Sequence, residues 1–384
     1  MDQVALKIQR RRYFGEAVRE VAVYQRFREA TGACPEIIHL REVFLHDGHL
    51  CMAFEKHGNS LAAVLDRDAI SPARARRATR QVLIALDRLH RSGYAHTDVK
   101  PDNILYCPRT GDARLADLGD AVERLRHGTL YGTREYTPPE VLLGAPLARS
   151  LDMWSVGCTV FEMVTARVLF DPRAVASKKY REFNQAGGKD LPLAASVVQD
   201  RADEEAEQLP CGTIVANKYR LERALGCGRF STVWLAKTLS DVSLDTSGQI
   251  LRNNVPDVNA RQRARTERQR DARRWRKSKG AADLLDLALN YEQLLLMVAL
   301  RGSFPPAMIK AGRFRASYFE EDGMPRFRPA LRQVSLQDLL RRSCKLRGRA
   351  LDTAMDFLKR CLTIDPSQRI TAGAALAHPW MSGS

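Results

Sequence analysis

The stretch His96-Thr-Asp-Val-Lys-Pro-Asp-Asn103 places an Asp, a Lys two positions later and an Asn five positions later in one short run. That order suits phosphoryl transfer. The Asp98 carboxylate can orient an attacking hydroxyl and accept its proton, Lys100 can neutralise phosphate charge, and the Asn103 carboxamide oxygen can hold a metal ion. Fourteen residues past Asn103 comes Asp117-Leu-Gly119, a second acidic metal ligand on a turn, with Leu118 as its apolar anchor. Thr133-Arg-Glu-Tyr-Thr-Pro-Pro-Glu140 then closes a segment of 24 residues counted from Asp117. Glu140 has a candidate partner in Arg369 of Asp365-Pro-Ser-Gln-Arg369, although two unrelated surface charges would read the same way. Thr129, Tyr131 and Thr133 are candidate phosphosites or plain loop hydroxyls.

Such groups need a frame. Val4-Ala-Leu-Lys-Ile8 is a short β-type run, a helix is expected from about Glu16 to Ala30, and Leu50–Phe54 is a second apolar strand followed by a turn at residues 57–60. A helix is predicted from Pro72 to Arg91, with Ser71 as N-cap, Pro72 at the first position and Gly93 past the end. Its Val82, Leu83, Leu86 and Leu89 share a face. Residues 151–164 are apolar nearly all round, the pattern of a helix buried at the centre of a helical unit. An island at Tyr219–Lys237 carries glycines at 226 and 228 and a β-rich end. Helical periodicity returns near Leu284; Leu351, Met355, Leu358 and Leu362 mark one amphipathic helix, and Thr371 caps a last one.

The chain has 384 residues, 45% apolar and 28% charged, an ordinary globular composition large enough for two or three folding units. Its formal charge is +16, and the stretch Arg261–Lys279 alone holds ten basic and two acidic residues. A protein that coats nucleic acid along its whole surface is excluded; a local basic arm is not. Trp275 is the one aromatic residue in that arm, so it offers no stacking platform. The eight cysteines form no C-x-x-C pair, which argues against a zinc ribbon and for a reducing compartment. No run approaches the roughly 20 apolar residues of a membrane span.

Taken together, these motifs resemble the eukaryotic-type protein kinases over about 1–172, 217–237 and 284–384. The resemblance implies an α+β bilobal fold, a small antiparallel β lobe with one helix and a large mainly helical lobe. It implies ATP and Mg2+ as cofactors and Ser or Thr hydroxyls as acceptors, the latter from Lys100. On it, Asp98, Lys100, Lys7 and Glu20 are catalytic, with Glu16 the weaker alternative to Glu20. Asn103 and Asp117 bind metal. Gly226, Gly228, Val233, Ala5, Lys7, Glu55 and Leu105 line the nucleotide site, with Phe54 guarding its back and Phe230 capping the glycine loop. Asp152 is similar to the buried Asp that braces the catalytic-loop backbone. His-Thr-Asp for His-Arg-Asp, Asp-Leu-Gly for Asp-Phe-Gly, Gly226-Cys-Gly-Arg-Phe-Ser-Thr-Val-Trp-Leu235 and Pro305–Phe314 resemble the SR-protein kinases of the CMGC supergroup. That likeness implies a monomeric enzyme of the cytoplasm or nucleus, acting on Arg/Ser-rich proteins, with nucleic acid contacted only through the 261–279 arm. Thr137 departs from the supergroup, which usually has Arg there.

The order of segments departs more deeply. In these kinases the glycine-rich hairpin precedes the Lys strand; in this chain it follows Lys7 by more than two hundred residues. The expected division is therefore 1–56 for the first small-lobe segment and 57–172 for the first large-lobe segment. A 173–218 linker, a 219–237 displaced hairpin, a 238–283 basic insert and a 284–384 remainder of the large lobe follow. A 46-residue coil spans roughly 35–40 Å, so the hairpin can fold back and complete the small lobe. Otherwise the Lys7 strand is left as an open edge, and the chain is a pseudokinase, a scaffold or an adaptor using its basic arm.

Overall fold

The computed structural model describes residues 3–172, 209–227, 231–239, 279–326, 333–344 and 346–382. Gly228, Phe230 and the basic arm at 261–278 lie outside them. Contacts divide the chain into two units, Met1–His57 with Asp117–Gly119 and Asp203–Ala281, and Gly58–Ala116 with Asp120–Ala202 and Ala282–Ser384. The first boundary therefore falls after His57 rather than Lys56, and the first unit also takes in the Asp-Leu-Gly turn.

In the first unit, strand β1 (Gln3–Gln9) alternates as its sequence dictates, burying Val4, Leu6 and Ile8 on one face and directing Ala5 and Lys7 to the other. β2 (Leu40–His46) and β3 (His49–Glu55) form a hairpin through Asp47 and Gly48, both at positive φ. β7 (Ile214–Val215), β8 (Tyr219–Cys227) and β9 (Ser231–Thr238) complete one antiparallel sheet in the order β2-β3-β1-β9-β8-β7. The late ribbon is thus paired with the Lys strand. β9 runs beside β1 from Gln3↔Lys237 to Gln9↔Ser231, with Lys7 opposite Val233. Residues of the expected linker also enter the sheet, because the Ile214–Val215 backbone finds partners on β8.

One core serves all these strands. Val4, Leu6, Ile8, Cys51 and Ala53 pack with Val215, Tyr219, Leu221, Trp234 and Ala236. The sheet also curls, so that β8 meets β2, which is four places away in sheet order. Phe44 stacks on Tyr219 at 5.8 Å between ring centroids, and Glu42 accepts from the Tyr219 hydroxyl and from Lys218 Nζ. Helix α1 (Phe14–Thr31) turns Ala17, Glu20, Val23, Tyr24 and Phe27 inward and ends at Gly32 with φ +70°.

The second unit is mainly helical, so the class is α+β as expected. Its small elements are β4 (Asn59–Ser60), α2 (Leu61–Leu65), β5 (Ile104–Cys107), β6 (Asp112–Leu115) and α4 (Pro139–Leu143). The expected 57–60 turn is tighter than a turn alone requires. A Cβ on Gly58 would lie 1.8 Å from the Tyr106 carbonyl oxygen, so only glycine allows β4 onto β5. α3 spans Pro72–Arg91 and buries Val82, Leu83, Leu86 and Leu89. Ser71 occupies its N-cap with extended backbone, but the hydroxyl makes no capping bond. Proline at the first helical position has no N–H to satisfy, which lowers the demand for a cap.

α5 (Leu151–Thr165) buries every residue except Glu162. α6 (Lys279–Arg301), α7 (Pro306–Ala311), α8 (Leu336–Ser343) and α9 (Gly348–Cys361) follow. α5 and α9 approach closely at Gly157, where a Cβ would come within 2.9 Å of Cys361 Cβ. α9 buries Leu351 and Leu358 with Leu362 just past its end, whereas Met355 is only half-buried; Ala354 and Phe357 fill that face instead. Thr371 accepts from the Ala374 amide and caps a short helix, Ala372–Leu376, as expected, with one more turn at Pro379–Ser382 after it.

Candidate active site

In the first unit the face of β1 opposite the core carries Lys7. Its Nζ lies 2.8 Å from both Glu20 carboxylate oxygens and 2.9 Å from Asp117 Oδ1. Burial works to deprotonate Lys7, but the Glu20 and Asp117 carboxylates outweigh it and hold the ammonium charged well above the ordinary lysine range. Glu20, 3% exposed, is the helical partner; Glu16 pairs with Arg19 on the surface of α1 instead. Asp117 sits at φ +61°, a left-handed conformation that Asp tolerates better than most side chains. Its carboxylate remains 46% exposed. Leu118 is fully buried, and Tyr24 packs against Phe54 with the rings tilted by 59° and centroids 5.4 Å apart.

The proposed nucleotide-lining residues fall as follows. Ala5 and Lys7 share their face of the sheet with Val233, since residues directly opposite in a ladder point the same way. Gly226 lies opposite Val233 on β8 with open space where a side chain would be. Glu55 ends β3, its carboxylate accepting from the His39 amide at 2.9 Å. Leu105 belongs to the second unit, half-buried on β5 between Ser60 and Arg114.

In the second unit the loop from His96 to Asn103 is held from beneath by a buried carboxylate. Asp152 Oδ2 accepts from the His96 amide at 2.8 Å and Oδ1 from the Thr97 amide at 2.7 Å, while His90 Nε2 lies 2.8 Å from Oδ2. Burial opposes that charge. The bond to His90 and the loop amides overcome it and hold the carboxyl below its usual range. The pull on the loop is visible at Thr97, a β-branched residue at φ +69°. Its hydroxyl donates to the Asp120 carbonyl at 2.9 Å.

Asp98 is the hub of this loop. Asn103 Nδ2 donates to its carbonyl at 2.9 Å and its Oδ2 at 3.0 Å, Lys100 Nζ lies 2.8 Å from Oδ2, and the Thr133 hydroxyl donates to Oδ1 at 2.8 Å. Lys100 also donates to the Thr133 hydroxyl at 2.6 Å. Thr133, a candidate phosphosite in the sequence, is thus engaged with the proposed base. No sequence signal marked this, because the bond joins residues 35 positions apart.

With its amide nitrogen on Asp98, Asn103 is left with its carbonyl oxygen as the donor for a cation. That oxygen in the second unit and the exposed Asp117 carboxylate in the first are each a hard ligand of the kind Mg2+ takes. Among the described residues no three His, Cys, Asp or Glu side chains converge as a preformed metal cage. A cation that shares its shell with substrate phosphates and water needs no such cage.

Glu140 and Arg369 form a bidentate pair at 2.6 and 2.9 Å with no exposed side-chain surface, and the guanidinium lies over the Trp154 ring at 5.3 Å. Arg134 is pinned to α6 by Asp286 at 2.5 Å and Asn290 at 3.0 Å, and Gln293 donates to its carbonyl.

Comparison with known proteins gives the family. The protein kinase domain family matches residues 2–215, more than half of the chain. Serine/threonine-protein kinase prp4 of Schizosaccharomyces pombe is 34% identical over 167 residues, 42% of this chain and 35% of that protein. Dual specificity protein kinase YAK1 of Saccharomyces cerevisiae is 36% identical over 138 residues, covering 35% and 17%. Serine/threonine-protein kinase AFC3 of Arabidopsis thaliana is 30% identical over 198 residues, covering 44% and 50%. The chain thus spans half or less of the length of these relatives. By its family match the chain belongs to the protein kinase domain family, and its CMGC-type motifs agree with the relatives it matches.

Proposed function

We propose that this chain is a serine/threonine protein kinase that transfers the γ-phosphoryl of ATP to protein hydroxyls with Mg2+ as the cation. The carrying observation is the Asp98 cluster, in which Lys100, Asn103 and Thr133 all bond to one carboxylate. Asp98 orients the acceptor hydroxyl and takes its proton. Lys100 and the charged Lys7 offset phosphate charge, and Glu20 holds Lys7 extended. Asn103 and Asp117 would hold the cation, which when bound supplies charge neutralisation to the phosphates. Ala5 and Val233 give the base an apolar face, and Gly226 leaves room for close backbone approach. Gly228 is proposed to do the same from outside the described residues. Glu55 and Leu105 complete the adenine contacts.

In such a reaction positioning and electrostatics supply most of the acceleration. Asp98→Ala is expected to reduce radiolabel transfer from ATP to an Arg/Ser-rich peptide by about a thousandfold or more. Undiminished transfer would overturn these roles. The substrate class rests on motif likeness and on similarity to prp4, and the reading takes the chain as a monomer of the nucleus or cytoplasm. No described helix is long and apolar enough to cross a membrane. The scaffold alternative requires a vacant edge on β1, whereas β9 pairs along the whole of that strand.

A further inference from the structure

Thr133 places a single proton between two partners. Its hydroxyl donates to Asp98 Oδ1 and accepts from Lys100 Nζ, so its rotamer and its backbone must both be held. The residue before it is Gly132, at φ +78°, where a Cβ would lie 2.6 Å from the Thr97 carbonyl oxygen. The segment therefore crosses the catalytic loop backbone at contact distance, through a residue type that resists no rotation. Something else has to stop it turning.

The group that does so is four residues further on. Thr137 is 4% exposed, and its hydroxyl lies 2.9 Å from the Thr133 carbonyl and 3.2 Å from the Tyr131 carbonyl. These are the carbonyls on either side of Gly132. The Thr133 carbonyl also accepts from the Tyr136 amide at 2.9 Å, and the Thr137 amide donates to Arg134 at 3.0 Å, closing a 3-10 turn around the same point. One hydroxyl shared by both carbonyls ties down the 131–132 and 133–134 peptide planes, which bracket the Gly132–Thr133 pair.

We propose that Thr137 is a positioning residue for phosphoryl transfer. By clamping the carbonyls of Tyr131 and Thr133 it holds the Thr133 hydroxyl between Asp98 and Lys100, without itself touching a reacting group. The inference rests on the kinase reading for its rate effect and on geometry alone for the clamp. A residue with no hydroxyl at 137 frees the 131–132 and 133–134 peptides on either side of the Gly132–Thr133 pair, and Thr133 then meets Asp98 and Lys100 for only part of the time.

The test uses the purified full chain with ATP, magnesium and an Arg/Ser-rich peptide. Thr137→Val keeps the shape of the side chain and removes its proton. Its kcat is expected to fall about tenfold, the loss of one net hydrogen bond from the reacting arrangement, with KM for ATP unchanged. Thr137→Ser is expected to restore most of the rate. The Thr133→Ala,Thr137→Val double variant is expected to be no slower than Thr133→Ala, because the clamp acts through Thr133. A Thr137→Val enzyme at wild-type kcat, or a double variant slower than Thr133→Ala by the full single-variant factor, overturns the proposal.

Amide hydrogen exchange tests the clamp without activity. Exchange at residues 132–134 is expected to be faster in Thr137→Val than in Thr137→Ser, and equal rates overturn the proposal. Should Thr137→Val not fold, Thr137→Ala removes the same proton and takes its place. An inactive wild-type chain would sink the kinase reading, and the exchange comparison would then decide the clamp.

Discussion

Asp152 carries a negative charge with no solvent access, and the His96 and Thr97 amides together with His90 are what make that tolerable. Its native carboxyl titrates below the ordinary aspartate value of about 3.9, so the unfolded chain takes up the proton first as the pH falls. The stabilisation is complete above that ordinary value and is lost as the pH drops through the lower native one. Asp152→Asn is therefore expected to cost about 3 kcal/mol at neutral pH and to flatten the acid limb of thermal unfolding below about pH 5. Unfolding midpoints with an unchanged acid slope would contradict this role. The residues with a chemical signature, Asp98, Lys100, Asn103 and Asp117, are legible because spacing within a loop is local information. Thr133 and Thr137 are not. Hydroxyls are common in loops, and only the fold brings these two to their partners.

Among elements, legibility follows burial pattern. α3 and α5 can be read from one apolar face and from an apolar surround, and β3 from five consecutive buried residues. β2 escapes because none of its residues is fully buried, so it has no alternation to read; its state comes from pairing with β3. β7 is two residues long and exists through β8 alone. The late ribbon is held by Trp234 in the core and by Glu42 across the curl of the sheet. Trp234→Ala is expected to destabilise the first unit by about 3–5 kcal/mol. Glu42→Gln is expected to speed amide exchange at Lys218 and Tyr219 without reaching Lys7. Exchange as fast as in an unfolded peptide throughout β8 and β9 of the unaltered chain would refute the docked ribbon.

At the scale of the whole molecule, both units draw on stretches far apart in the sequence. Arg369 closes on Glu140 in one, and β9 closes on β1 in the other. A chain lacking residues 209–239 would keep β1 and β3 paired but leave the other side of β1 as a bare edge, with the apolar residues that cover Leu6 gone. Bare edges pair with other chains. That deletion is expected to form oligomers by size-exclusion chromatography at concentrations where the full chain does not. A deletion variant that elutes like the full chain would argue that β1 needs no partner.

The pairing of Gln3 with Lys237 also sets a timetable for synthesis. β1 leaves the ribosome before its neighbour, which emerges more than two hundred residues later. At roughly 5–20 residues per second that is a delay on the order of ten to fifty seconds. For that interval the nascent chain carries an apolar strand with one side unsatisfied, and a chaperone has that long to bind it.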